Sequence, residues 1–186
     1  MTDYEIETLA YRAVESGNFL EAQRLLEPLA SRNSEYALMT LGWIHEAGGT
    51  PSDRELALSF YERASQIGCE PALIFVGRLL REDGNFAEAR RVYQIGALKG
   101  NLGCMCWLGD MMLAGEGGPL DAESGELWIN VAARKGHFIA KRKLLHINLL
   151  KSRSIFKYVS YYIKLFFLIC ASTKFFHSDP YSDKVL

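Results

Sequence analysis

Proline is scarce in this 186-residue chain, five residues in all. That leaves long stretches free to run as helix and excludes a proline-rich linker or recognition tract. Cysteine is equally sparse: the four, at 69, 104, 106 and 170, fit no disulfide framework, and Cys104-x-Cys106 has neither a second thiol pair nor a neighbouring His to complete a tetrahedral metal site. The four histidines are dispersed. No nucleophile, base and carboxylate recur at a spacing that would assemble a catalytic set, so no enzyme is expected. Gly115-Glu116-Gly117-Gly118-Pro119 lacks the following Lys-Ser/Thr of a phosphate loop. No cofactor or metal, and neither a nucleic-acid partner nor a small-molecule substrate, is therefore expected. The opening MTDYEIETLAYRAVESGNF is acidic and amphipathic, without the basic segment and apolar run of a secretory signal. Reduced thiols and a cytoplasmic setting follow as expectations.

What is present is repetition. In Ala37 to Ala72, Ala37, Leu41, Gly42, Ile44 and His45 fall on one helical face, and Leu56, Ala57, Phe60, Tyr61 and Ala64 on another, at the i, i+3, i+4, i+7 spacing of an amphipathic helix. Gly48 to Asp53 separates the two, with Ser52 or Asp53 expected to cap the second helix. Gly68 is expected to close it in the left-handed conformation. Leu41-Gly42 returns as Val76-Gly77 and Leu108-Gly109; Ala37 returns as Ala72 and Cys104; Tyr61 as Tyr93 and Ile129; Gly68 as Gly100 and Gly136. Gly17-Asn18-Phe19 returns as Gly84-Asn85-Phe86. The register defines four units, roughly 5–36, 37–71, 72–103 and 104–139, each long enough for two helices of about three turns.

These residues resemble the Sel1-like repeat, a relative of the tetratricopeptide repeat. The second unit carries most of that pattern as Leu41-Gly42, Gly48, Asp53, Ala57, Tyr61, Ala64, Gly68 and Ala72, and the fourth as Leu108-Gly109, Gly115, Asp121, Trp128, Ala132-Ala133, Gly136 and Ala140. The first and third use the shorter Gly-Asn-Phe turn and look more like plain tetratricopeptide repeats. The resemblance implies an all-α, right-handed α-solenoid of about four helix-turn-helix units, a bacterial origin, and a role as a protein-interaction adaptor or scaffold. A regulatory module binding a small ligand, or a soluble scaffold whose last helix only caps the array, are the alternatives.

In such helix pairs the first helices line the concave face, and residues there that vary between units are candidates for holding a protein or peptide. Trp43, Arg78 and Asp110 follow the frame glycine in successive units, with Tyr11 before them and Met39 and Glu46 alongside. Tryptophan, tyrosine and arginine are the types that most often anchor interfaces. Cys104 aligns with Ala37 and Ala72 and is read as a small packing residue; His45, aligned with Leu80 and Met112, is read as a core or partly buried imidazole and not as a base. His137 and His146, nine apart, are expected on opposite sides of one helix.

The net charge of −1 conceals a division: residues 141–186 hold nine Lys/Arg against two Asp, +7, leaving −8 on the first 140. After Ala140 the repeat decays, and the chain is expected to divide into a 1–152 array and a 153–186 basic, aromatic segment. There Arg153, Lys157, Ser160 and Lys164 make one narrow helical stripe in an otherwise apolar circumference. The 16 residues between Lys157 and Lys174 reach only about 24 Å as helix, against a hydrocarbon core of about 30 Å. The segment could span marginally, lie at the membrane interface, or fold back as a cap. Lys157, Tyr158, Tyr161, Tyr162, Lys164, Phe166, Phe167 and Lys174 are the candidates for contact with an anionic membrane surface, which would hold the protein peripherally on the inner membrane.

Overall fold

The computed structural model describes the backbone of residues 1–48, 51–151 and 155–178 and, within those, every side chain except those at 51, 52, 155, 157, 158 and 170–178. Among the described residues it is all helix and turn. The helices are α1 (Asp3–Glu15), α2 (Phe19–Ser31), α3 (Glu35–Gly48), α4 (Pro51–Gln66), α5 (Ala72–Glu82), α6 (Phe86–Leu98), α7 (Leu102–Ala114), α8 (Ala122–Arg134), α9 (Phe138–Leu150) and α10 (Ile155–Ser178). They fall in successive pairs at the expected repeat boundaries, and α9 with α10 makes a fifth pair. The chain divides within α5 into two compact units, Met1–Leu79 and Leu80–Leu186.

Local chemistry sets the helix ends. Thr2 and Glu5 form a reciprocal capping box on α1, and the side chains of Asn18, Asn101, Asp121 and His137 each accept a backbone N–H at the start of α2, α7, α8 and α9. Gly68, Gly100 and Gly136 adopt φ of 100°, 99° and 107° just past α4, α6 and α8, the left-handed turn expected from their recurrence. In the first repeat Asn33 takes that place, at φ 60°; its short polar side chain tolerates the conformation better than other non-glycine residues. Two boundaries differ from expectation. The first helix of the second repeat runs on through Gly48, and α4 starts at Pro51, because proline is pre-set for the first helical position and its missing N–H costs nothing there. Asp53 therefore sits in the first turn of α4 instead of capping it.

The core of the first unit is Ala10, Leu26, Leu29, Leu38, Leu41, Ile44 and Ala64 with their neighbours. Tyr61 in α4, Tyr93 in α6 and Ile129 in α8 are each fully enclosed at the equivalent position. Small residues admit them. A Cβ on Gly42 would lie 2.6 Å from the Tyr61 ring, and one on Gly109 would lie 2.5 Å from the Gly125 carbonyl oxygen and 2.7 Å from Ile129. The two helices of a pair thus touch at the frame glycine.

In the second unit the loop after α7 folds against α6. Gly117, at φ 69°, comes so close that a Cβ there would meet the Phe86 carbonyl oxygen at 2.2 Å, and Arg90 donates to the Pro119 carbonyl at 3.1 Å. The glycine-rich stretch from 115 to 118 is a packing loop.

Gly109→Ala should lower unfolding free energy by about 1–3 kcal/mol, the usual cost of overpacking, and by more than Gly42→Ala. At Gly109 the obstacle is backbone, whereas at Gly42 it is one ring edge. Urea unfolding at unchanged m-value measures both; equal stability for Gly109→Ala and the native chain would refute the close approach.

Candidate functional site

In the first unit, Met39, Trp43 and Glu46 lie at i, i+4 and i+7 on α3, so one helix face carries all three. Met39 is half-buried against the core. Trp43 is 42% exposed and meets Phe19, 38% exposed, edge to face at 5.7 Å. Tyr11, on α1, is 53% exposed. Phe19 was read in the sequence only as a repeat marker, recurring as Phe86, and both rings are exposed.

Glu46 and Arg78 come together. The Arg78 guanidinium donates to both Glu46 oxygens at 2.7 Å, and the Tyr61 hydroxyl donates to Oε2 at 3.2 Å. Arg78 also lies over the Phe75 ring at 5.8 Å, and Phe75 stacks on Tyr61 at 4.9 Å. Both ends are shielded by about two thirds, with side-chain exposures of 32% and 26%. A fork-shaped donor against a carboxylate in that environment is a strong, directional pair. Arg78 and Glu46, read as variable residues the frame does not need, join α3 to α5.

Asp110 belongs to the second unit. Its carboxylate accepts from Lys143 at 2.6 Å and faces Arg81 at 3.3 Å, while Arg81 also grips Glu116 at 2.6 and 3.1 Å. Hydrogen bonding to Glu116, above all, holds the Arg81 pKa above its ordinary value. Arg81 and Lys143 both approach the Trp107 ring, at 5.8 and 5.0 Å. Sequence reasoning did not assemble this cluster, because its members come from α5, α7, the loop after α7, and α9. Its only prior sign is spacing: Arg81 to Glu116 and Asp110 to Lys143 are separated by about one repeat.

Cys69, Cys104 and Cys106 are buried free thiols. Burial pushes Cys69 up to about 11 and Cys106 up to about 12. Cys104 is as enclosed as Ala37 and Ala72 at the equivalent positions. Among the described residues no three His, Cys, Asp or Glu gather into a metal-holding group. His45 is partly buried, stacked on Phe60 at 5.6 Å with Nδ1 3.6 Å from Asp53. His137 is the buried cap of α9, accepting from the Ala140 N–H through Nδ1, instead of a residue within that helix. His146 lies on α9 itself, beside Tyr161.

Helix α10 packs along α9 with Tyr161, Leu165 and Leu168 half-buried. Ser160, half-buried, and Lys164, exposed, border the cleft between the two helices. Phe156, Val159, Tyr162, Ile163, Phe166 and Phe167 face outward, each more than half exposed. The side chains of Lys157, Tyr158 and Lys174 lie outside the described residues. Among the described residues no helix is long and apolar enough to cross a membrane.

No family model and no curated protein matches the chain. Among solved structures it is similar to a Sel1 repeat protein from Oxalobacter formigenes, at 27% identity and a TM-score of 0.67, covering 78% of this chain and 62% of that one. A protective antigen of uropathogenic Escherichia coli displaying an SLR fold is similar at 22% identity and a TM-score of 0.70, over 86% of this chain and 37% of that one. The fold is that of the Sel1-like repeats. MamA of Desulfovibrio magneticus shares the fold at 17% identity and a TM-score of 0.58, over 91% of this chain and 96% of that one. The Sel1-like array described here spans less than two thirds of the length of the first two.

The buried thiols generate a direct test. In a Cys170→Ser variant the three remaining cysteines should resist a thiol reagent at pH 8 and all react in denaturant, since only the thiolate attacks and its formation is pushed to about 11–12 for Cys69 and Cys106. Rapid labelling of the folded protein would show that one of these sites opens to solvent.

Proposed function

We propose that this Sel1-like array is a non-enzymatic adaptor that holds a protein or peptide on the first-helix face of its first unit. The observation carrying this is the Trp43–Phe19 pair, two large rings left in water beside a buried core, with Tyr11 also exposed. Rigid aromatics lose little entropy on binding and supply most interface hot spots. Met39 forms the floor, and the Glu46–Arg78 pair supplies a fixed charged border. Asp110 contributes charge to the second unit separately. The −8 balance of the first 140 residues favours a partner segment that is basic as well as apolar.

A second reading concerns the segment after residue 152, proposed as a functionally separate part. The outward stripe of α10, with Phe156, Val159, Ile163 and Phe166 at spacings of three and four, is an apolar helix face without cover among the described residues. Helices α9 and α10 contain no Asp or Glu and carry Lys141, Arg142, Lys143, Lys157, Lys164 and Lys174. An apolar face on a basic support suits an anionic bilayer surface, where each Lys or Arg near the leaflet contributes about 1 kcal/mol.

Two experiments test these readings. Immobilised protein carrying Tyr11→Ala and Trp43→Ala should keep its helicity and lose the partner that the native chain retains, whereas identical retention would remove this face from the account. Arg78→Glu is unsuitable as a probe, because it sets two carboxylates against each other at Glu46 and would weaken the fold itself. For the tail, native protein should sediment with anionic vesicles and be released as salt rises, while Ile163→Ser with Phe166→Ser should abolish sedimentation. Vesicle binding unaffected by that pair would exclude the outward face.

A further inference from the structure

The cleft between α9 and α10 has a volume of about 490 Å³ and is lined by Leu145, Asn148, Leu149, Lys151, Ser160, Tyr161 and Lys164. That size falls within the roughly 300–1,000 Å³ of ordinary ligand sites. Its chemistry is one-sided. Its lining includes two lysines, an asparagine and a serine, and the helices forming it contain no carboxylate. One acid reaches its edge: Glu126 of α8 accepts from Lys151 Nζ at 2.5 Å. Lys164 has no ion-pair partner among the described residues, and no hydrogen bond from the Asn148 amide or the Ser160 hydroxyl is made there either.

Ser160 is half-buried on the α9 side and Lys164, itself exposed, borders the same cleft, while Phe156, Ile163 and Phe166 face outward. Donors gathered in a half-enclosed cleft are matched by an anion with several acceptor oxygens. We propose that the α9–α10 cleft binds a phosphate group. Lys164 supplies the charge, Ser160 and Asn148 supply neutral donors, and Lys151, tethered by Glu126, forms the far wall. A phosphate has enough acceptor oxygens to engage all four, and charge-assisted bonds to it are the stronger kind. The group could belong to a lipid headgroup or to a soluble phosphate compound. The cleft is independent of the partner face, and its phosphate chemistry does not require the outward face to meet a bilayer.

Calorimetry with the full-length protein at low ionic strength, using inorganic phosphate and glycerol phosphate as probes and glycerol as the uncharged control, tests the site. Saturable binding of either phosphate is expected. Lys164→Gln should weaken it at least about tenfold, the loss expected for one charge-assisted hydrogen bond, and Lys164→Arg should largely restore it. In parallel, sedimentation compares vesicles of phosphatidic acid in phosphatidylcholine with phosphatidylcholine alone. Preference for phosphatidic acid that Lys164→Gln removes, with weak soluble binding, assigns a lipid headgroup. Strong soluble binding without that preference assigns a free phosphate compound. Ile163→Ser with Phe166→Ser separates the two readings, since it should release vesicles while leaving glycerol phosphate binding intact. The site is refuted if neither soluble phosphate nor phosphatidic acid is preferred over its control, or if Lys164→Gln binds as the native chain does.

Discussion

The structure depends on how closely the two helices of a repeat can approach. At Gly42 the α3 backbone lies against the Tyr61 ring, and at Gly109 the α7 backbone lies against the Gly125 carbonyl of α8, with no room for one more carbon atom at either contact. Dense interiors relax only partly around an inserted methyl, which is why these positions are glycine. The approach also fixes where the rest of each helix points. With Tyr61 wedged at Gly42, its hydroxyl emerges beside Glu46, and Glu46 is then held where Arg78 can grip it.

The first helices are consequently laced by charge. Glu46 meets Arg78 in the first unit, and Asp110 meets Arg81 and Lys143 in the second. The frame repeats in small residues, and the ties between successive first helices are made by residues that vary in identity and sign. Such a tie costs little in sequence constraint, because any complementary pair at the right spacing serves. It is worth more than an exposed surface pair, at roughly 0–1 kcal/mol, where both partners are shielded and the geometry is bidentate. The aromatic pair Trp43–Phe19 stands apart from this lacing: no charge is satisfied by it, and both rings keep more than a third of their surface in water.

The last helix pair follows different rules. Its first helix continues the array, with Ala140 and Leu149 buried and Lys143 reaching back to Asp110. Its second helix packs through Ser160, Tyr161, Leu165 and Leu168 and leaves a second, apolar stripe outward. Full burial of one large apolar side chain is worth about 1.5–3 kcal/mol, so an exposed stripe of this kind is costly for a chain standing alone and useful to one that docks.

The repeat register, the glycine turns at Gly68, Gly100 and Gly136, and the all-α solenoid class were legible in the sequence, since periodicity and left-handed turn residues act locally. The start of α4 was misplaced because Asp53 and Pro51 are both good helix openers and only the folded backbone chooses between them. Which side chains meet was not legible. Arg78 and Asp110 were read as partner-binding candidates, and the third dimension sets Glu46 and Lys143 beside them; the wheel of α10 showed a lysine stripe without showing which way it turned. Sequence by itself determined the repeat register and the left-handed turns that close α4, α6 and α8, because those depend on neighbours a few residues away. Tertiary structure alone decided which charges are engaged and which faces stay open, because those depend on residues about one repeat apart whose meeting is set by packing.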